Sequence, residues 1–267
     1  MKRVCIAMLL VLLLSACACP GPPTPTVVPG STGVPTAEPS PTGLPTPSPT
    51  ETVAAPTHAP SPVSPLPTPA PVGPAQYLLT FEATWSAATH PTDFPPNPHF
   101  SGLIGAAHSP DVYLWQVGEL ASPGIKNMAE TGGKSPLDGE IDALIEAGDA
   151  CAKISGGGIN PSPGAVAVVF EVSEDCPVVS VVTMIAPSPD WFVGVSALNL
   201  LEDGTWVDQQ VVELFPYDAG TDSGVSYTSP DLPTEDPEAI FGIETDPLLV
   251  DGRVPSLGTF TFMRLDS

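Results

Sequence analysis

The sequence predicts an all-β protein, an antiparallel β-sandwich with one packed α-helix, preceded by a disordered proline-rich linker. Three observations carry that prediction. Short runs rich in Val, Thr and aromatic residues recur from residue 76 onward; Pro, Gly, Asn and Asp clusters separate them; and helical periodicity occurs once. The runs are YLLTFEATW from Tyr77, VYLWQV from Val112, AVAVVFEV from Ala165, VVSVVTMI from Val178, WFVGVSALNL from Trp191, WVDQQVVEL from Trp206 and GTFTFMRL from Gly258. In the last, Phe260, Phe262 and Arg264 alternate with Thr259, Thr261, Met263 and Leu265, so only one face suits a core. The helix is expected to open with Ser135 as N-cap and Pro136 at its first position. Leu137, Ile141, Leu144, Ile145 and Gly148 then repeat at helical spacing.

The start of the chain reads as an export signal over residues 1–16. Lys2 and Arg3 precede an apolar run, Val4 to Leu14, that is too short to span a bilayer. That run ends in Leu-Ser-Ala-Cys, which resembles the lipobox of bacterial lipoproteins. Cys17 is therefore the expected lipidation site, with an ordinary secretory cut near Ala18 as the alternative. Residues 17–75 are dominated by Pro, Thr, Ser, Ala, Gly and Val, with Glu38 and Glu51 their only formal charges. Such a stretch cannot bury a core, and its prolines favour extended polyproline II, so it is read as a spacer.

Residues 76–267 have the length of one domain. All 30 acidic residues except Glu38 and Glu51 fall there, against five basic ones, so the formal charge of -23 belongs to this part. A surface of that sign repels phosphate backbones and anionic lipids. Nucleic acid is excluded as a partner, and the membrane is approached only through the anchor. Cys151 and Cys176 are the cysteines left in the exported domain. They either pair, closing a loop worth about 3 kcal/mol, or stay as buried thiols; no zinc-type spacing competes for them.

Several catalytic patterns fail. TGGKSP, Thr131 to Pro136, lacks the first glycine of a phosphate loop, and GVSAL around Ser196 lacks the second glycine of a nucleophile elbow. His90, His99 and His108 are too far apart for a helical zinc pair. Carboxylates at turns are more informative. Asp190 stands in PSPDWF, and Asp218 and Asp222 flank Gly220 in PYDAGTDSG. Calcium takes six to eight hard oxygens, and a glycine-bearing turn lets side chains and carbonyls converge. Spacing alone favours reading these aspartates as ordinary Asx-turn formers.

Three stretches carry a specific likeness: FSGLIGAAHSPDVYLWQVGELASPGIKNMAETG from Phe100, PSPDWFVGV from Pro187 and PYDAGTDSGVSYTSP from Pro216. Together they resemble the spondin domain of F-spondin and mindin, over most of residues 76–267. The resemblance implies a C2-like sandwich with a calcium ion at one end of its sheets. Asp190, Asp218 and Asp222 match the acidic ligands, and Glu171 in VFEVSED matches a glutamate ligand of some members. Where animal members carry a cysteine this chain has Leu201, so Cys151 and Cys176 are expected to replace that bridge.

These readings combine into one expectation. The chain is a lipid-anchored, surface-displayed protein of the cell envelope, without enzymatic activity, that binds calcium and serves adhesion or recognition of an extracellular glycan, matrix component or surface protein. The competing reading is an extracytoplasmic hydrolase that uses its carboxylates for acid and base work on an envelope polymer.

Overall fold

The computed structural model describes residues 72–265. The signal region, Cys17 and nearly all of the linker therefore lie outside the described residues. In chain order the strands are β1 (Ala75–Ala83), β2 (His99–Phe100), β3 (Ile104–His108), β4 (Ala150–Ser155), β5 (Gly164–Val172), β6 (Val178–Ala186) and β7 (Trp191–Asn199). They continue with β8 (Leu201–Glu202), β9 (Thr205–Trp206), β10 (Gln209–Leu214), β11 (Tyr217–Asp218), β12 (Phe241–Gly242) and β13 (Gly258–Arg264). Helices α1 (Pro123–Thr131) and α2 (Leu137–Ala147) lie between β3 and β4.

Two antiparallel sheets face each other. One runs in the order β10, β13, β1, β5; the other runs β12, β11, β7, β6, β3, β4, with β2 also paired to β6. Alternation on β1 and β13 turns Tyr77, Leu79, Phe81, Phe260 and Phe262 inward. There they meet Val179, Val181, Ile185, Val193 and Val195 of the facing sheet. Phe81 packs edge-on against Phe100 and Phe260, with ring centroids 4.9 and 5.2 Å away.

Every residue of β6 is buried, because this strand serves two cores. Its Val179, Val181 and Ile185 face the opposite sheet, while Val182, Met184 and Ala186 lie under the helices with Ile125, Met128, Leu137 and Ile141. Burial on both faces is what an unbroken VVSVVTMIA run requires.

The sequence anticipates one helix, and the described residues form two. Helix α1 has a complete local code: Ser122 as N-cap accepting from the Ile125 amide at 3.1 Å, Pro123 in the first turn, and Gly132 as left-handed C-cap at φ 71°. Its N-terminus is also bound by Glu140 of α2, which accepts from the Gly124 amide at 2.7 Å and the Ser122 hydroxyl at 2.6 Å. Helix α2 begins one residue later than expected, with Pro136 rather than Ser135 at the cap position and no side-chain cap. Ser135 instead offers its carbonyl to Asn127 Nδ2, and Glu140 is committed to α1.

Two further differences concern strands. Val112 to Val117 reads as a strand but is irregular, since Trp115 ties it to β7 by side-chain bonds instead of a ladder. Strands β3 and β4 escape the sequence reading because IGAAH and ACAKIS are poor in β-branched residues. Gly105 is needed here: a Cβ would collide with the Ser180 carbonyl of β6.

Candidate metal centre

The β6–β7 turn carries the first carboxylate. Ser188 sets this turn, donating to the Ile185 carbonyl at 2.6 Å and accepting from the Trp191 amide at 3.1 Å. Trp191 and Phe192 then enter opposite cores, and Asp190 between turn and strand is 0% exposed. Its Oδ2 accepts from the amides of Thr221 at 2.7 Å and Asp222 at 3.1 Å, and from the Thr221 hydroxyl at 3.3 Å. Its Oδ1 is buried and has no hydrogen-bond partner. Loss of water therefore raises the Asp190 pKa even against these donors, and the charge of Asp222 pushes the same way.

Asp218 arrives from β11, which pairs Asp218 with Trp191 and Tyr217 with Phe192. Its Oδ2 accepts from Trp191 Nε1 at 3.1 Å and its Oδ1 from the Gly220 amide at 2.8 Å. Burial, then the charge of Asp190, pushes this carboxyl up to about 7. Gly220 makes the turn possible: its φ is 73°, and any Cβ would strike the Glu238 carbonyl. Asp222 follows, 5% exposed, with Oδ1 accepting from the Gly224 amide and Oδ2 from the Leu232 amide, both at 2.8 Å. The Asp218–Gly220 and Asp222–Gly224 bonds are Asx turns, so the plain structural role is realised at both positions.

These loops line a cavity of about 280 Å³ whose acidic members are Asp218, Asp222, Glu238 and Asp246. No basic residue lines it. Glu238, which also raises the Asp218 pKa, has no motif around it; the Gly220–Glu238 backbone bond of 2.8 Å brings it in. Among the described residues, no three His, Cys, Asp or Glu side chains already converge as a metal cage. The donor set nevertheless fits a hard divalent cation. An orphaned buried carboxylate oxygen, a second carboxylate with a raised pKa and a lining without cations all lack positive charge.

Glu171 is not brought to this place. It is exposed near the end of β5, opposite Gln76. Its neighbour across the ladder, Tyr77, reaches the Leu200 and Val207 carbonyls past the far end of the nine-residue β7. That puts Glu171 on the order of 25 Å from Asp190, beyond any shared ion. The reason is strand direction: β5 runs away from the acidic end, and the nineteen positions from Glu171 to Asp190 hold the β5–β6 turn and the whole of β6, which carries the chain from one end of the sandwich to the other. Cys151 of β4 and Cys176 of the β5–β6 turn form a disulfide, with Cα atoms 6.0 Å apart.

Comparison with known proteins agrees with this architecture. The family model described as Spondin_N matches residues 75–249. Spondin-2 of Rattus norvegicus is 40% identical over 164 residues, which is 60% of this chain and 50% of that protein. Spondin-2 of Homo sapiens is 39% identical over 164 residues, again 60% and 50%. Spondin-1 of Gallus gallus is 41% identical over 174 residues, 63% of this chain and 22% of that protein. The chain thus spans half the length of these Spondin-2 proteins and a smaller share of Spondin-1. With the family model covering every strand but β13, both helices and the acidic loops, the chain belongs to the spondin N-terminal domain family.

Proposed function

We propose that this chain is a non-enzymatic adhesion or ligand-recognition protein of the cell exterior. In this reading residues 1–16 are removed as a signal, Cys17 carries the lipid, residues 17–75 act as a spacer, and the folded domain from residue 76 is displayed beyond the membrane. Its partner is an extracellular glycan, matrix component or surface protein, and calcium stabilises the loops that present the binding surface.

One observation carries the calcium assignment: Asp190, 0% exposed, keeps an oxygen with no donor while it sits beside a carboxyl whose pKa is pushed up to about 7. Two buried carboxyls whose pKa values are both raised, Asp190 by burial and the charge of Asp222, Asp218 by burial and the charge of Asp190, are costly to ionise without a cation. Asp190, Asp218 and Asp222 would hold calcium, with Glu238 on the cavity that Asp218 and Asp222 line; the ion would supply the positive charge this cluster lacks. Glu171 stands outside this set.

Titration calorimetry with calcium, paired with melting curves in calcium and in chelator, tests the reading. Calcium at 100 times its dissociation constant adds about 2.7 kcal/mol. Asp190→Asn is the informative variant, because an amide oxygen can keep the Thr221 and Asp222 donors while the buried charge is lost. The expected result is a calcium-free melting temperature equal to or above wild type and no calcium-dependent rise. Absence of calcium heat from the wild-type protein, with chelation leaving its melting curve in place, refutes the assignment.

A further inference from the structure

The two residues of β11 point to opposite faces, and only one belongs to the acidic cavity. Asp218 faces that cavity, whereas Tyr217 packs toward the helix-side core beside Trp115 and Phe192. On that other side Tyr113, Trp115 and Tyr217 line a cavity of about 380 Å³, at the seam where β7 and β10 lie next to each other without pairing. The Trp115 and Tyr217 rings meet with centroids 4.9 Å apart and planes at 63°, which makes an aromatic corner. Trp115 is fixed in place: its Nε1 donates to the Val195 carbonyl at 3.2 Å, its own carbonyl accepts from the Ser196 hydroxyl, and it stands edge-on to Phe192. Burial raises the Tyr217 pKa, so its phenol is neutral at ordinary pH. Tyr113 completes the third side and is 54% exposed.

Glu213 is the one charged residue that lines this cavity. We propose that the corner formed by Tyr113, Trp115, Tyr217 and Glu213 is a binding site for a quaternary ammonium group. The aromatic residues of the lining and a carboxylate attract a cation, and its apolar residues Leu198 and Val212 suit methyl groups better than a hydrated primary amine. A domain carrying most of a net charge of -23 draws such ligands from solution. The trimethylammonium group has two sources, a free choline-type compound or the headgroup of a phosphocholine lipid, and the same residues read either.

The test titrates the full chain, with Cys17 replaced by Ser to keep it lipid-free, against choline and tetramethylammonium by saturation-transfer NMR and calorimetry. The neutral isostere 3,3-dimethylbutan-1-ol is titrated in parallel, and flotation with phosphatidylcholine vesicles is measured separately. Saturable binding of both cations is expected, with the alcohol weaker by about tenfold. Tyr113→Ala and Glu213→Gln change exposed side chains, so their melting temperatures should match the parent while each weakens choline by about three- to tenfold. Flotation together with choline binding identifies the lipid headgroup as the source, and choline binding alone identifies a soluble compound; both support the site. Lack of saturable cation binding, equal affinity for the alcohol, or unchanged affinity in both variants overturns it.

Discussion

His108 shows how much a single protonation state can fix. It is 0% exposed, and its Nδ1 donates to the Ser109 carbonyl at 2.8 Å, which leaves Nε2 to accept from the Ser180 hydroxyl at 2.8 Å. Ser180 in turn accepts from the Ala197 amide at 2.8 Å, so a proton on Nε2 would leave its hydroxyl hydrogen without an acceptor. Burial accordingly lowers the His108 pKa below 6.5. The folded state resists a proton that the unfolded chain takes up as pH falls through 6.5, so this contribution to stability is complete above that pH and is lost below it. Imidazole ¹⁵N spectra followed across a pH titration should show His108 with a midpoint below 6.5 and its neutral ring protonated at Nδ1; an ordinary midpoint near 6.5 would contradict the network. At the same scale, the sequence made Asp190, Asp218 and Asp222 visible because each adjoins a Pro or Gly turn. Glu171 was misplaced because likeness to a motif says nothing about strand direction, and Glu238 was missed because its only tie to the site is a backbone hydrogen bond.

At the scale of elements, the two helices depend on one shared side chain. Glu140 belongs to α2 but satisfies two donors at the start of α1. Its replacement by Ala should therefore destabilise the domain by about 1 kcal/mol, as for the loss of an N-cap, and Glu140→Gln by less, since one acceptor remains. Urea midpoints for the three proteins measure this, and identical midpoints for Ala and wild type would rule it out. Helix α1 went unread although Ser122, Pro123 and Gly132 mark its ends locally; only Glu140, which completes the cap from sixteen positions downstream, lies outside a local signature. Strands with Val, Phe and alternation were legible, whereas β3 was not, because it is held by close backbone approach at Gly105 rather than by propensity. The opposite error, Val112 to Val117, arose because the aromatic residues that mimic a strand there are wall residues of a cavity.

At the scale of the whole molecule, the proposed anchor makes a direct prediction. With Cys17 lipidated, the full chain should partition into the detergent phase, and Cys17→Ser should move it to the aqueous phase. Detergent partitioning that survives the substitution would place the anchor elsewhere. The anchor also gives meaning to where the ends of β1 lie. Ala75 pairs with Val172, and Tyr77 with Arg264, at the end of the sandwich remote from Asp190 and Asp222.

A ligand held at the acidic loops would pull along the strands against a tether entering at Ala75. β1 is flanked along most of its length by β5 and β13, and ladder bonds lie perpendicular to the strands. Tension in that direction loads the bonds together, in shear, instead of opening them one at a time from an end. Held by such an anchor, the domain would resist extraction under mechanical load, with its central strand, rather than an edge, bearing the force.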